Sequence, residues 1–510
     1  MENMGKPLQR VVIVGGGAAG WMSAAALSAV LKPPYEIRLV ESEEIGIIGV
    51  GEATIPPIRM FNGLARIDEA GFLKATQGTF KLGIEFVNWG RVGERYFHGF
   101  GDVGKEAMWP VDFSQYWLRM RALGRALPLD AYAISNTAAK SNKFMLPQPN
   151  MQNSPMAALG YAYHFDAGLY ARHLRAVSEA RGVRRTEGKV VRVLLNEEPG
   201  PRLGHVRAVQ MQSGELVEGD LFLDCSGFAS LLIEKTLDTG YEDWSHWLPC
   251  DRAWAVPSER TNPLVPYTRA TAHKAGWQWR IPLQHRVGNG HVYSSAHMSD
   301  DEAAAILLKN LDAPALAEPR LVKFRTGMRK QAWSRNVVAI GMSAGFVEPL
   351  ESTALHLIQM GVAKLIEAFP HSGFDPVEIE EYNRASRVRY EYVRDFIVLH
   401  YHLNQRDDTE FWRACAAMSV PEALRYRMKL YAASGRLADV HADLFREPSW
   451  LEVMEGQNLR PRGWLALADL QSVEDTARYM RGISDTIATC VAAMPAHEEF
   501  VRQYCPAAQA

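Results

Sequence analysis

Val11-Val-Ile-Val-Gly-Gly-Gly-Ala-Ala-Gly-Trp-Met22 decides how the chain begins to fold. The β-branched run Val11 to Val14 reads as a strand, the glycines as a tight turn, and Trp21 to Leu31 as an alanine-rich helix that Pro33 and Pro34 stop. Tyr35-Glu-Ile-Arg-Leu-Val-Glu41 alternates as a second strand, which completes a βαβ unit. In the turn, Gly15-x-Gly17-x-x-Gly20, with Ala18 and Ala19 between, lets backbone approach a pyrophosphate while the helix amides receive its charge. Glu41, at the end of the second strand, has the chemistry to accept hydrogen bonds from a ribose. NAD(P) and FAD share this pattern. Two later apolar strands closed by glycine, Leu221-Phe-Leu-Asp-Cys-Ser-Gly227 and Val337-Val-Ala-Ile-Gly341, read as further strands of the same parallel sheet and favour FAD, whose remaining length needs such cover.

The chain has 510 residues, more than three times the roughly 150 of one domain, so several packed lobes are expected. Lys and Arg (56) nearly cancel Asp and Glu (58), which leaves no basic field for nucleic acid or an anionic bilayer. Cysteines 225, 250, 415, 490 and 505 include no CxxC, which excludes a disulfide framework and a zinc knuckle and suits a reducing cytoplasm. No metal is expected. The polar N-terminus and the lack of an apolar stretch of about 18 residues give a soluble, unexported protein as the expectation.

The fold class expected is α/β: a Rossmann-like parallel sheet binding FAD, of flavin monooxygenase type, with a mainly helical substrate lobe. Residues 1–240 and 330–375 make a discontinuous FAD-binding lobe, within which Lys189 to Val193 and Val206 to Met211 read as antiparallel strands. Residues 240–330, rich in Trp, Pro and His, form a second sheet region. From 376 to 510 helical periodicity dominates, as in Val377 to Leu399 and Glu422 to Ser434.

Several segments together resemble the flavin-dependent tryptophan halogenases: Val11 to Met22, Ile48-Gly-Val-Gly-Glu-Ala-Thr-Ile-Pro56, Phe80-Lys81, Trp277-Gln-Trp-Arg-Ile-Pro282 and Phe346-Val-Glu-Pro-Leu-Glu-Ser-Thr353. The resemblance implies reduced FAD, O2 and a chloride or bromide ion. The hypohalous acid they generate travels through an internal tunnel to an aromatic substrate. It implies Lys81 as the amine that hydrogen-bonds this acid or becomes an N-haloamine, and Glu351 as the paired carboxylate that polarises the reagent or takes the ring proton. Read without it, Lys81 is a lysine in a crudely alternating strand, Phe80 to Phe86, and Glu351 a helix-cap glutamate.

Further positions follow from the same resemblance. Halide falls on the amides of Thr353 and Ala354, where a helix start leaves donors unpaired. The family commonly has Gly at the position of Ala354, so a shifted amide geometry is expected here, suiting bromide at least as well as chloride. Trp277 and Trp279 become tunnel wall, and Ala53, Val190, Met342 and Leu355 contact FAD. His98-Gly-Phe100 matches an H-x-F element whose rings flank a flat substrate. Tyr431 to Trp450 departs from the tryptophan-specific members: it has no tyrosine pair, Arg446 stands where a stacking tryptophan is expected, and Trp450 is a core residue or a substitute ring wall. Indole, or a larger indole-bearing or phenolic molecule, is therefore the expected substrate. Reduced flavin is expected from a separate flavin reductase, and the sequence leaves the oligomeric state open, a homodimer being one option. The rival readings are a flavin-dependent aromatic monooxygenase and a non-catalytic FAD-binding protein.

Overall fold

The computed structural model describes residues 8–44, 51–104, 111–151, 154–438 and 444–507, so Ile48 to Val50 and part of the Tyr431 to Trp450 stretch lie outside them. The opening βαβ forms as the sequence predicts: strand Arg10–Val14, helix Ala18–Val30, strand Glu36–Glu41. Val11 to Val14 are at most 2% exposed because both flanking strands are parallel to theirs, with Val11 opposite Ile37 on one side and Leu221 on the other. The full sheet runs Trp333–Ser334, Val337–Ala339, Leu221–Asp224, Arg10–Val14, Glu36–Glu41, Arg184–Glu187, with only the first of these antiparallel to its neighbour. Gly20 to Ala29 are buried all round, since the helix is packed between Ala167–Ala180 and Ala354–Glu367.

A second sheet of seven strands gathers Arg252–Glu259, Thr268–His273, Gly276–Pro282, Arg286–Tyr293 and Arg320–Lys323 with two strands from far earlier, Gly83–Val87 and Arg95–Gly99. Every residue of Gly276–Pro282 is buried. A third sheet pairs Gly51–Ala53 and Thr79–Lys81 with Ala162–Asp166. The stretch Phe80 to Phe86 is thus two strands, and Leu82 is the corner between two sheets. Gly83 makes the corner possible: a Cβ there would stand 2.4 Å from the His98 carbonyl oxygen. The corner carries Lys81, at the end of its strand, into the interior.

Val206–Met211 pairs with Val190–Leu195 in a small antiparallel sheet, as its pattern predicts. From Pro376 onward the regular elements are helices, among them Pro376–His402, Glu422–Ser434, Glu447–Gly456 and Val473–Ala493. Helices Phe113–Ala122 and Ile134–Lys140 pack on Val473–Ala493, so the helical layer also draws on residues before 376. All five cysteines are free, and no helix among the described residues is long and apolar enough to cross a membrane.

Candidate active site

Three neighbouring parallel strands, ending at Val14, Asp224 and Ala339, bring their carboxyl ends to one edge, where an α/β sheet binds ligands. Gly15 adopts φ +117°, and a Cβ there would stand 2.2 Å from the Cys225 carbonyl oxygen. Gly17 caps the helix with extended backbone and no side-chain hydrogen bond, and a Cβ at Gly17 would meet nothing within 4 Å. The first helical amides, at Ala18, Ala19 and Gly20, thus follow an open turn and have no side-chain cap, an arrangement suited to a phosphate. Opposite, a Cβ at Gly341 would touch the Ala19 methyl at 2.9 Å, so the Gly341–Ser343 turn, with half-buried Met342, closes on the helix start. Glu41 lies over Gly16, its carboxylate taking Trp21 Nε1 at 3.3 Å and Arg185 Nε at 2.5 Å. Val190 is half-buried close by, since Gly188 donates to the Glu41 carbonyl at 2.8 Å.

Deeper in the molecule lies a group of buried charges. Lys81 has no exposed surface; Nζ donates to the Thr54 carbonyl at 3.0 Å and to Ser352 Oγ at 2.9 Å, and stands 5.2 Å from the Phe100 ring centre. Burial pushes its pKa down to about 7, against the pull of Glu351. Glu351 is equally buried. His98 Nδ1 lies 3.1 and 3.0 Å from its two oxygens and His400 Nε2 2.9 Å from Oε1. Burial alone would raise the Glu351 pKa, but the two imidazoles hold it down to about 2. In return, Glu351 overcomes the effect of burial on His98 and raises its pKa above the usual histidine value. Behind that strand, Glu452 takes the Gly99 amide at 2.9 Å and Asn136 Nδ2 at 2.7 Å, and burial pushes its carboxyl up to about 8.

The segment carrying Glu351 also carries Glu348. Both Trp277 Nε1 (2.9 Å) and Tyr401 Oη (2.8 Å) donate to its Oε1, while its buried Oε2 has no partner. Burial raises its pKa to about 7. Trp277 is anchored through this carboxyl, and Trp279, with its indole nitrogen unpartnered, lies 6.1 Å from it ring to ring. Pro349–Glu351 is a single 3₁₀ turn, Ser352 takes the left-handed conformation at φ +60°, and the helix Ala354–Glu367 follows from Thr353 with no side-chain cap. The expectation of a distorted amide at Ala354 is corrected here: positive φ falls on Ser352, and Ala354 opens a right-handed helix that its methyl group suits. Thr353 Oγ1 is buried without a partner beside those amides. Leu355 in the same helix is buried, and Ala53, also buried, precedes the Thr54 that binds Lys81.

His98 and Phe100 both border this group, and His98 is bound to Glu351 as well as lying beside rings: Phe396 at 5.6 Å and Phe445 at 6.2 Å. Phe396 and Phe445 stack at 3.8 Å. Arg446 points outward and pairs with Asp102 at 2.8 Å, and its neighbour Phe445 turns inward. Trp450 is core, 1% exposed, donating to Tyr392 Oη at 2.9 Å. Sequence reasoning did not identify Thr54, Ser352, Glu348, His400 or Glu452. Thr54, Glu348 and Ser352 carried a signal, since they lie in the segments Ile48 to Pro56 and Phe346 to Thr353; His400 and Glu452 are ordinary helix members until folding gathers them. Among the described residues no group of His, Cys, Asp and Glu could hold a metal ion.

The comparisons with known proteins agree with this geometry. Residues 10–472 match the tryptophan halogenase family model. Xcc4156, a flavin-dependent halogenase from Xanthomonas campestris, superposes with TM-score 0.95 at 46% identity, over 99% of this chain and all of that one. BrvH, a flavin-dependent halogenase from Brevundimonas sp. BAL3, gives 0.93 at 44% over 98% and 99%. The tryptophan 6-halogenase ThaL of Streptomyces albogriseolus is 32% identical over 98% of this chain and 99% of its own. With its family model covering most of the length and these relatives nearly all of it, the chain belongs to the tryptophan halogenases and is a flavin-dependent halogenase.

Proposed function

We propose that the enzyme halogenates an electron-rich aromatic ring, an indole or an indole-bearing molecule, with hypohalous acid delivered by Lys81. FAD would be held by the Gly15–Gly20 turn, with Glu41, Val190, Ala53, Met342 and Leu355 along its length; in reduced form, with O2, it supplies the oxidant that converts chloride or bromide to hypohalous acid. The uncapped turn with open space at Gly17 supports that fit. A separate flavin reductase would provide the reduced cofactor. The Thr353 and Ala354 amides receive the halide, an anion suited to unpaired donors at a helix start. Anchored Trp277 and its neighbour Trp279 form a rigid wall.

The buried amine carries the reading. An ammonium has three donors, and Thr54 and Ser352 take two. The third is available to hydrogen-bond the oxygen of hypohalous acid where Phe100 borders the space. As the ring attacks, its electron pair forms the carbon–halogen bond, the halogen–oxygen bond breaks, and the Lys81 ammonium gives a proton to the departing hydroxide, which leaves as water. Glu351, kept ionised by its imidazoles, accepts the proton from the substituted carbon. Inward-turned Phe445 with Phe396 and His98 supports an apolar, flat binding space, and outward-turned Arg446 gives no clamp for a free amino acid.

The test is a mass-spectrometric screen of indoles and phenols with FAD, a flavin reductase and bromide. Brominated indoles, read from the isotope pattern, are expected. Oxygen insertion that continues without halide would replace this reading with a monooxygenase.

A further inference from the structure

The two imidazoles on Glu351 differ. His400 gives Nδ1 to the Phe396 carbonyl at 2.8 Å, and because a carbonyl only accepts, that nitrogen carries a hydrogen. Its Nε2 stands 2.9 Å from Glu351 Oε1, an ion-pair distance without the alignment of a hydrogen bond. A neutral ring would turn a lone pair on a carboxylate oxygen there, and the two would repel. The contact attracts only if one of the two atoms bears a proton. Glu351 is the poorer holder, since His98 already stabilises its ionised form. His400 is the better one. It lies in the last turn of helix Pro376–His402, where unpaired carbonyls favour a cation. Rings of Phe86 (4.9 Å), Phe396 (5.2 Å) and Trp89 (6.1 Å) enclose it away from solvent.

We propose that His400 is a positioning residue of the halogenation site, facing Glu351 as an imidazolium and holding that carboxylate ionised and oriented to accept the ring proton. The inference rests on the role given to Glu351 above. His400 touches neither substrate nor reagent, so its effect belongs in turnover. With Nδ1 held by the Phe396 carbonyl and Nε2 facing the carboxylate, it is a fixed cation and leaves proton exchange to other groups.

The test uses the full chain with FAD, a flavin reductase, bromide and indole, comparing His400→Phe, His400→Gln and Glu351→Gln. His400→Phe should lower kcat about 10²-fold, the scale of a misplaced reacting group, while KM for indole and FAD affinity measured by fluorescence stay at wild-type values. His400→Gln restores an uncharged donor and should recover roughly tenfold of that loss. Wild-type kcat in His400→Phe, no recovery in His400→Gln, or a loss seated in KM or FAD affinity would each overturn the proposal. Should His400→Phe not fold, His400→Gln decides: a lowered kcat at unchanged KM supports the imidazolium, and a wild-type kcat overturns it. Glu351→Gln separates the layers. If it turns over normally, the Glu351 reading falls and this one with it; if it is inactive while both His400 variants run at the wild-type rate, only the His400 inference fails.

Discussion

The Gly15–Gly20 turn and the chamber around Lys81 solve opposite problems. The turn works with backbone alone, its residues contiguous and partly exposed, and its use depends on side chains being absent. The chamber works mainly with side chains. Lys81, His98, Glu351 and His400 come from four distant segments and are each at most 2% exposed. Amides at a helix start keep their dipoles wherever they lie, whereas an amine with a pKa near 7 and a carboxylate near 2 exist only because the fold removes water and sets partners. Lesions in the two regions should therefore fail in different ways.

The largest expected effect is at Lys81. Lys81→Ala should reduce halogenation by at least about 10³-fold, within the range for a positioned proton-handling group, while FAD binding stays intact. Product formed at an appreciable rate by this variant breaks the division between regions. Gly15→Val should produce the converse. A branched side chain at φ +117°, driven toward the Cys225 carbonyl, should weaken FAD binding by roughly tenfold or more and lower the melting temperature. Turnover at saturating FAD should recover toward wild type, and failure to recover would mean that the turn does more than hold the cofactor.

The pH profile sharpens the chamber side. Burial lowers the Lys81 pKa to about 7, so the ammonium proposed to donate to the reagent is present below that value and lost above it. Turnover should fall about tenfold per pH unit beyond roughly pH 7. Glu351, held near 2, is ionised across the same window. A rate that rises through pH 7 would instead assign the neutral amine, and with it an N-haloamine, as the delivering species.

How far each region could be read from sequence follows from the same contrast. The turn, its helix and both flanking strands are local patterns, and they form within a few residues of where glycine and proline put them. Val206–Met211 and Glu422–Ser434 were equally legible as period-2 and helical runs. The chamber was not legible in this way. Lys81 was identified through resemblance, while its own neighbourhood suggested one strand where the fold makes two; Gly83 marks that break only once the His98 carbonyl is seen against it. Phe445 and Arg446 differ by one step along the chain, and which of them faces the site depends on Phe396 and Asp102, both remote in sequence.

Glu348 tests whether a chamber residue can matter for stability more than for rate. Its pKa is raised from 4.5 to about 7, so between those values the folded state holds a proton that the unfolded state has lost. The stability this provides is present below about pH 4.5 and gone once pH has passed 7. Glu348→Gln fixes the neutral form and keeps an oxygen for Trp277 and Tyr401. It should match wild type in acid and exceed it by about 3 kcal/mol near pH 8, with turnover changed by no more than about twofold. A stability difference that does not grow with pH would show that this carboxyl is ionised in the fold.

The smallest effect is expected at Ala354, where the two regions use the same physics. Its amide, like that of Ala18, opens a helix without a side-chain cap, and the backbone is right-handed at both. Alanine is therefore compatible with an anion there, and the glycine that the family resemblance implies is not required for φ. Ala354→Gly should cost below about 1 kcal/mol in stability. The bromide-to-chloride turnover ratio should move by less than about fivefold, since the amide keeps its direction. A larger change would mean that the alanine methyl itself lines the halide space, so that a side chain would set selectivity at a site otherwise built from backbone.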